Sequence, residues 1–223
     1  MLPLVKAVIF DLDGTLIDTI HDLADSVNEV LKARNFPQHT IESYKYRVGD
    51  GIRILLERAL PETLLFDEDD MDQITRDFNL YYQTHWKNHT KPYPGITNML
   101  LSLQKHKIPL AILSNKPQHF TDLCANYFFP EDIFHLVFGA RETYPKKPDP
   151  FSALLIAEEL KVSPHEVIYV GDTSIDMNTA INAGMYPVGV SWGFRSQKEL
   201  IDAGAQIILN FPEELLLMIL KQE

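Results

Sequence analysis

The sequence holds a single cysteine, no long hydrophobic run and far fewer basic than acidic side chains. A lone Cys124 excludes an internal disulfide and fits a reducing compartment. Its neighbours Leu123 and Ala125 place it on the apolar side of a helix, as core and not as a nucleophile. The longest apolar run, residues 215–220, falls well short of the about 20 residues that a membrane helix needs. No charged-then-apolar leader precedes the first strand pattern, so the expected location is the cytoplasm, with no membrane partner. Twenty Lys and Arg against 31 Asp and Glu leave a formal charge of −11. Nucleic acids and anionic membranes are bound through clustered cations that this chain lacks, whereas a small phosphorylated metabolite needs only a few local ones. Internal repeats and low-complexity tracts are also missing. A monomer and a homodimer both remain compatible with the sequence.

What is present is organised around Val8-Ile9-Phe10-Asp11-Leu12-Asp13-Gly14-Thr15-Leu16. Residues 4–10, apolar except at Lys6, read as a buried strand that stops at two aspartates and a glycine. At the carboxyl end of a parallel strand, side chains two apart address the same side, so Asp11 and Asp13 can meet one ligand. Paired carboxylates repel. They persist where a metal, a lysine or a shared proton relieves them, and each remedy is a catalytic device. Gly14 permits a sharp turn or close passage to an anion, and Thr15 offers a hydroxyl and an amide.

At 223 residues the chain can bury a large core, as one α/β domain or one with a smaller insert. Residues 18–34 carry apolar side chains at helical spacing, followed by segments 41–46 and 52–60 and a long helical stretch over 67–89. From 16 to 90 the pattern is helical, with no strand. Lys91-Pro92-Tyr93-Pro94-Gly95 closes it. Beyond, helices at 96–105, 117–126, 150–160, 175–183 and 212–220 alternate with strands at 110–113, 136–138, 167–170, 187–190 and 206–209. This alternation predicts an α/β fold with a doubly wound, largely parallel, Rossmann-like sheet: a core of residues 1–15 and 91–223, and a helical domain of residues 16–90 inserted into it.

Further strand ends and one loop carry pointed chemistry. Residues 110–113 run into Ser114-Asn115-Lys116, a hydroxyl and free amides expected at a helix start, suited to a phosphate oxygen. Residues 167–170 run into Gly171-Asp172-Thr173-Ser174-Ile175-Asp176, two more carboxylates at the same edge. Lys146-Lys147-Pro148-Asp149-Pro150 places Lys147 between prolines that fix its direction. Singly, each has a plainer reading: Ser114 an N-cap, Asp172 and Asp176 a cap and a helix-surface charge, Lys147 a solvated loop residue. Together they converge on one crevice. Asp11, Asp13, Asp172 and Asp176 would bring about −4 and Lys147 about +1, which implies a hard divalent cation; oxygen ligands and a shared phosphate favour magnesium. One of the paired aspartates then becomes a general acid.

These motifs, Asp11-Leu12-Asp13-Gly14-Thr15, Ser114-Asn115-Lys116, Lys147-Pro148 and Gly171-Asp172 with Asp176, resemble the four ordered motifs of the haloacid dehalogenase superfamily. The helical insertion after the first motif resembles the cap of one subfamily. Val48-Gly49-Asp50-Gly51 with residues 55–60, and Trp192-Gly193-Phe194-Arg195, are similar to its phosphoglycolate phosphatase branch. The resemblance implies an Asp11 nucleophile forming an aspartyl-phosphate, with Asp13 as acid and then base. It implies magnesium held by Asp11, the Asp13 backbone carbonyl and Asp172. Ser114 and Asn115, with Lys116, Gly14 and Thr15, would bind phosphate; Lys147 would neutralise nucleophile and phosphate; Asp176 and Thr173 would support the metal shell or Lys147. Dehalogenases of the family lack the second aspartate, so Asp13 argues for phosphoryl transfer. The implied reaction is hydrolysis of 2-phosphoglycolate, with pyrophosphate and sugar or nucleotide monophosphates as alternatives. A non-catalytic phosphate-binding or signalling domain is the alternative of another class. In a receiver-type signalling domain, however, the phosphorylated aspartate sits apart from the acidic pair and no cap interrupts the fold.

In the inserted segment, Gly49, Asp50 and Gly51 are expected to face substrate, with Arg47, Lys45 or Arg53 available to a substrate carboxylate. Hinges are expected at residues 16–19 and 91–95. His85 and His89, four apart, lack a third metal ligand, and the acidic run 67–70 lacks the calcium-loop pattern and suits a helix start.

Overall fold

The computed structural model describes residues 4–220; the expected core segments 1–15 and 91–223 also include residues 1–3 and 221–223, outside the described residues. The chain forms two compact units, Met1–Ile17 with Pro92–Glu223, and Asp18–Lys91. Strand β1 (Ala7–Phe10) opens the first unit. Strand β2 (Ile17–Asp18) leads to helices α1 (Ile20–Ala33), α2 (Ile41–Tyr44), α3 (Ile52–Ala59) and α4 (Glu68–His85), and β3 (Lys91–Pro92) leads back. Then follow α5 (Ile96–Lys105), β4 (Leu110–Pro117), α6 (Gln118–Phe128), β5 (Leu136–Ala140) and α7 (Phe151–Glu159). The chain continues through β6 (Val167–Gly171), α8 (Ser174–Asn182), β7 (Tyr186–Val190), α9 (Gln197–Asp202), β8 (Ile207–Leu209) and α10 (Glu213–Leu220).

Among the described residues, six strands form one sheet in the order β5-β4-β1-β6-β7-β8, with every pair parallel. The fold is the expected doubly wound α/β sheet. Its centre is β1, whose side chains are at most 1% exposed because helices cover both faces. On one face Ala7 and Ile9 pack with Ala111, Leu113, Val167 and Tyr169 against Ile156 and Ala157 of α7 and Ala180 of α8. Cys124 is buried on α6, as its neighbours indicate.

In the helical unit, α1 buries Ile20, Leu23, Ala24, Val27, Val30 and Leu31 and packs on α4, which buries Met71, Ile74, Phe78 and Tyr82. The acidic run does start that helix: the Asp67 side chain accepts from the Asp70 amide at 2.9 Å, and Asp70 answers through the Asp67 amide. Asn28 holds the link after α1, accepting from the Tyr44 hydroxyl at 2.7 Å and the His39 amide at 3.0 Å.

Four details differ from the sequence reading. β1 begins at Ala7 rather than Leu4, whose side chain is exposed. β4 runs on to Pro117, because its ladder with β5 resumes at Pro117 and Ala140 after a register shift beyond Leu113. β2 pairs with β3, within and beside a stretch read as free of strands, and two residues are too few to show a period. α9, six residues long and started by the Ser196 side chain accepting from the Glu199 amide, is equally too short to announce itself.

Candidate active site

β4, β1 and β6 are neighbours in the sheet, so their polar carboxyl ends lie side by side, at a strand spacing of about 4.8 Å. Topology, not sequence proximity, gathers Asp11, Ser114 and Asp172 at one edge. The Lys147 ammonium sits between two carboxylates, 2.8 Å from Asp11 Oδ1 and 2.7 Å from Asp176 Oδ1, and its side chain is 3% exposed. Its backbone is held by the Asn115 side chain: Lys147 N–H donates to Asn115 Oδ1 at 2.9 Å, and Asn115 Nδ2 donates to the Lys147 carbonyl at 3.1 Å. Below, the ammonium lies 5.9 Å from the centre of the Tyr169 ring, whose hydroxyl donates to the Leu113 carbonyl at 3.3 Å.

Asp172 is fully buried and held at both oxygens, by the Thr15 hydroxyl on Oδ1 at 3.0 Å and the Phe194 amide on Oδ2 at 2.8 Å. The loop after β7 makes a second tie, with Trp192 Nε1 donating to the Thr15 carbonyl at 3.0 Å. The space is tight. A Cβ on Gly14, whose φ is +86°, would come within 2.3 Å of Asp172 Oδ2, and one on Gly193 within 2.2 Å of the Asp172 Cβ. Thr173 caps α8 and, with its own amide, holds Asp176 Oδ2 at 2.7 and 3.0 Å, which leaves Oδ1 to Lys147.

One carboxylate oxygen from each of Asp11, Asp172 and Asp176 lies within 4.8 Å of the others. Burial, then the charge of Asp176, pushes Asp11 up to about 7 against the pull of Lys147. Burial, then the charges of Asp176 and Asp11, pushes Asp172 up as well, although the Phe194 amide and Thr15 favour its ionised form. Burial opposes the Lys147 charge, but Asp11 and Asp176 outweigh it and hold its pKa well above the ordinary value. Three crowded carboxylates, of which only Asp11 and Asp176 meet the ammonium, fit a hard divalent cation, which prefers oxygen donors. The cluster can therefore hold a metal ion.

Asp13 stands apart from this triad. The Lys116 ammonium donates to both of its oxygens, at 3.1 and 3.2 Å. The count of charges made from sequence is thus corrected by a second buried lysine, read there among phosphate-binding residues. The expectation of free amides at a helix start is corrected too: Ser114, Asn115 and Lys116 lie within β4, and α6 begins only at Gln118. The Lys116 amide donates to Ser114 Oγ at 3.2 Å.

Gly49, Asp50 and Gly51 lie in the helical unit, where Asp50 pairs with Arg58 at 2.6 Å and Gly51, at φ +93°, precedes α3. Arg47 donates to the carbonyls of Ser43 and Arg58, Lys45 pairs with Glu42, and Arg53 pairs with Glu57, Glu68 and Asp72. His85 stacks on Tyr81 at 3.8 Å, and His89 lies 4.0 Å from Asp25; neither joins a metal-binding group among the described residues. The sequence reading missed Trp192 and Phe194 as contributors to the site, and Tyr169 beneath it. The signal for the first two was available: they follow a strand next to β6 and reach the same edge. Among the described residues, no helix is long and apolar enough to cross a membrane.

Residues 8–190 match the profile of the haloacid dehalogenase-like hydrolases. A phosphoglycolate phosphatase of Psychrobacter arcticus is 33% identical over 200 residues, covering 87% of each chain. One of Chromobacterium violaceum is 33% identical over 213 residues, covering 95% of each. Among solved structures, a protein described as a predicted phosphoglycolate phosphatase from Haemophilus somnus shares the fold at a TM-score of 0.91 and 26% identity, over 98% of this chain and 99% of that one. A motif set read from strand ends, a sheet of this order and a match over most of its length agree that the chain belongs to the haloacid dehalogenase-like hydrolases.

Proposed function

We propose that this hydrolase is a magnesium-dependent phosphatase that cleaves a small phosphate monoester through an aspartyl-phosphate, with 2-phosphoglycolate as the preferred substrate. That it is a phosphoric monoester hydrolase follows from its family and its relatives. The observation that carries the chemistry is the Lys147 ammonium lodged between Asp11 and Asp176 at the head of β1. It neutralises a carboxylate that must approach a phosphate dianion.

Asp11 attacks phosphorus and forms the new P–O bond, splitting a difficult hydrolysis into two easier steps. Asp13 gives its proton to the departing oxygen and then takes one from the water that hydrolyses the aspartyl-phosphate. Ser114 and the Asn115 amide receive the phosphoryl oxygens, and Lys147 offsets their charge. Thr15, Phe194 and Thr173 fix Asp172 and Asp176 through the contacts described above. Magnesium, held by Asp11 and Asp172 with the Asp13 carbonyl, would supply charge neutralisation and orient the phosphate. Residues 16–90 act as the cap that selects substrate, with Gly49, Asp50 and Gly51 as its substrate-facing loop and hinges at residues 16–19 and 91–95.

The substrate assignment is supported by the relatives at 33% identity. Initial rates of phosphate release with magnesium, over 2-phosphoglycolate, pyrophosphate and a set of sugar and nucleotide monophosphates, test it. The expected result is the highest kcat/KM with 2-phosphoglycolate and none in Asp11→Asn. A different preferred substrate overturns the assignment of substrate alone; turnover by Asp11→Asn overturns the mechanism.

A further inference from the structure

Lys116 is costly to bury. Its side chain is 3% exposed, and an ammonium taken out of water needs a charged partner in good geometry to persist. That partner is Asp13, met at both oxygens. The lysine's backbone is fixed on either side, its amide on Ser114 Oγ and its carbonyl accepting from the buried Thr121 hydroxyl at 3.1 Å. Asp13 itself lies just past β1 in the loop before Gly14, with its side chain 20% exposed and rotamers to lose. A firm post on β4 therefore grips a partly exposed carboxylate on the neighbouring strand's loop.

We propose that Lys116 is the positioning residue of Asp13, holding its carboxylate where it meets the leaving-group oxygen. The inference rests on the reading of Asp13 as the acid of the first step. In that step Asp13 carries a proton on one oxygen while Lys116 holds the other; the Asp11 oxygen bonds to phosphorus, the bond to the leaving oxygen breaks, and the electron pair left there takes that proton. Lys116 neither gives nor takes a proton. Its effect is geometric, and small misplacements of a reacting group cost up to about 10²-fold in rate.

Leaving-group chemistry separates this role from a structural one. An alkoxide needs the proton, and p-nitrophenolate leaves without it. Pre-steady-state release of the leaving group isolates the first step, before Asp13 is needed as a base. Wild type, Lys116→Met, Lys116→Arg and Asp13→Asn are compared on the best alkyl phosphate of the substrate panel and on p-nitrophenyl phosphate. Lys116→Met is expected to slow release from the alkyl phosphate by roughly 10- to 100-fold and from p-nitrophenyl phosphate by less than about threefold, with Lys116→Arg recovering most of the loss. Equal losses on both substrates, or none on either, overturn the inference. If Asp13→Asn itself shows no difference between the substrates, the acid role of Asp13 falls, and the positioning role falls with it. If Lys116→Met does not fold by circular dichroism, Lys116→Gln carries the same comparison.

Discussion

At the sheet edge, Thr15 reaches Asp172 across 157 positions of sequence and Lys116 reaches Asp13 across 103. In the helical unit, Arg58 reaches the Arg47 carbonyl across 11 and Arg53 reaches Asp72 across 19. Polar groups at the edge are thus held by distant strands and are mostly buried, whereas Arg53 and Arg58 of the helical unit are held over short spans of chain and stand partly in solvent, unlike the buried Asp22 of the same unit. The difference has a physical origin. A parallel sheet brings strand ends together at fixed spacing and can pre-set a site, while short helices satisfy their charges locally and leave the surface free to vary.

The contrast predicts large catalytic effects at the edge and small structural ones at partly exposed ion pairs between helices, such as Arg34 with Asp77. Asn115→Ala releases both backbone hydrogen bonds to Lys147 and is expected to lower kcat by about 10- to 100-fold with little change in KM. A change confined to KM would move Asn115 from positioning Lys147 to binding substrate.

A smaller effect links pH to the cation. Asp11 stands at about 7 against an ordinary 3.8, so between those values the folded, metal-free chain binds more protons than the unfolded one. The stability this site contributes is complete below the ordinary value and is lost as pH rises through about 7. A magnesium ion on Asp11 would compete with the same protons. At one fixed concentration, a hundred times the dissociation constant at pH 8, it is expected to stabilise by about 2.7 kcal/mol there and by clearly less at pH 5.5, in thermal unfolding. Equal shifts at both pH values would place the cation away from Asp11.

The smallest effect belongs to the helical unit. Burial works against the charge of Asp77, but hydrogen bonds from Arg34 and Gln73, with the charges of Arg34 and Arg76, outweigh it and lower its pKa. Its contribution is present above the unfolded carboxylate value and lost as pH falls through the lowered one. Because the pair with Arg34 is partly exposed, Asp77→Asn is expected to cost about 0.2–1 kcal/mol in urea denaturation at pH 7 and to leave kcat unchanged. A tenfold fall in kcat would break the contrast, since a local pair of helices would then feed the chemistry.

Much of the edge was legible in the sequence because strands buried on both faces must be apolar, so Asp11, Ser114 and Asp172 stand out where the apolar runs end. Partnership was not. Lys116 reads as one more cation near a phosphate site, and only the adjacency of β1 and β4 puts it on Asp13. Asn115 reads as a phosphate ligand, yet its side-chain amide is used on the Lys147 backbone. The extension of β4 through Ser114 to Pro117 was hidden because polar residues carry no strand period. In the helical unit the apolar faces of α1 and α4 were legible from their spacing. The pairings of Arg47, Arg53 and Arg58 were not, since any exposed arginine has several acids within reach.

The most direct test is to quench the enzyme in acid during turnover of its best phosphate ester with magnesium and to map the phosphorylated peptide by mass spectrometry. A phosphoryl group is expected on Asp11, absent in Asp11→Asn. A phosphoryl group on any other residue, or turnover of Asp11→Asn at the wild-type rate, would contradict that expectation.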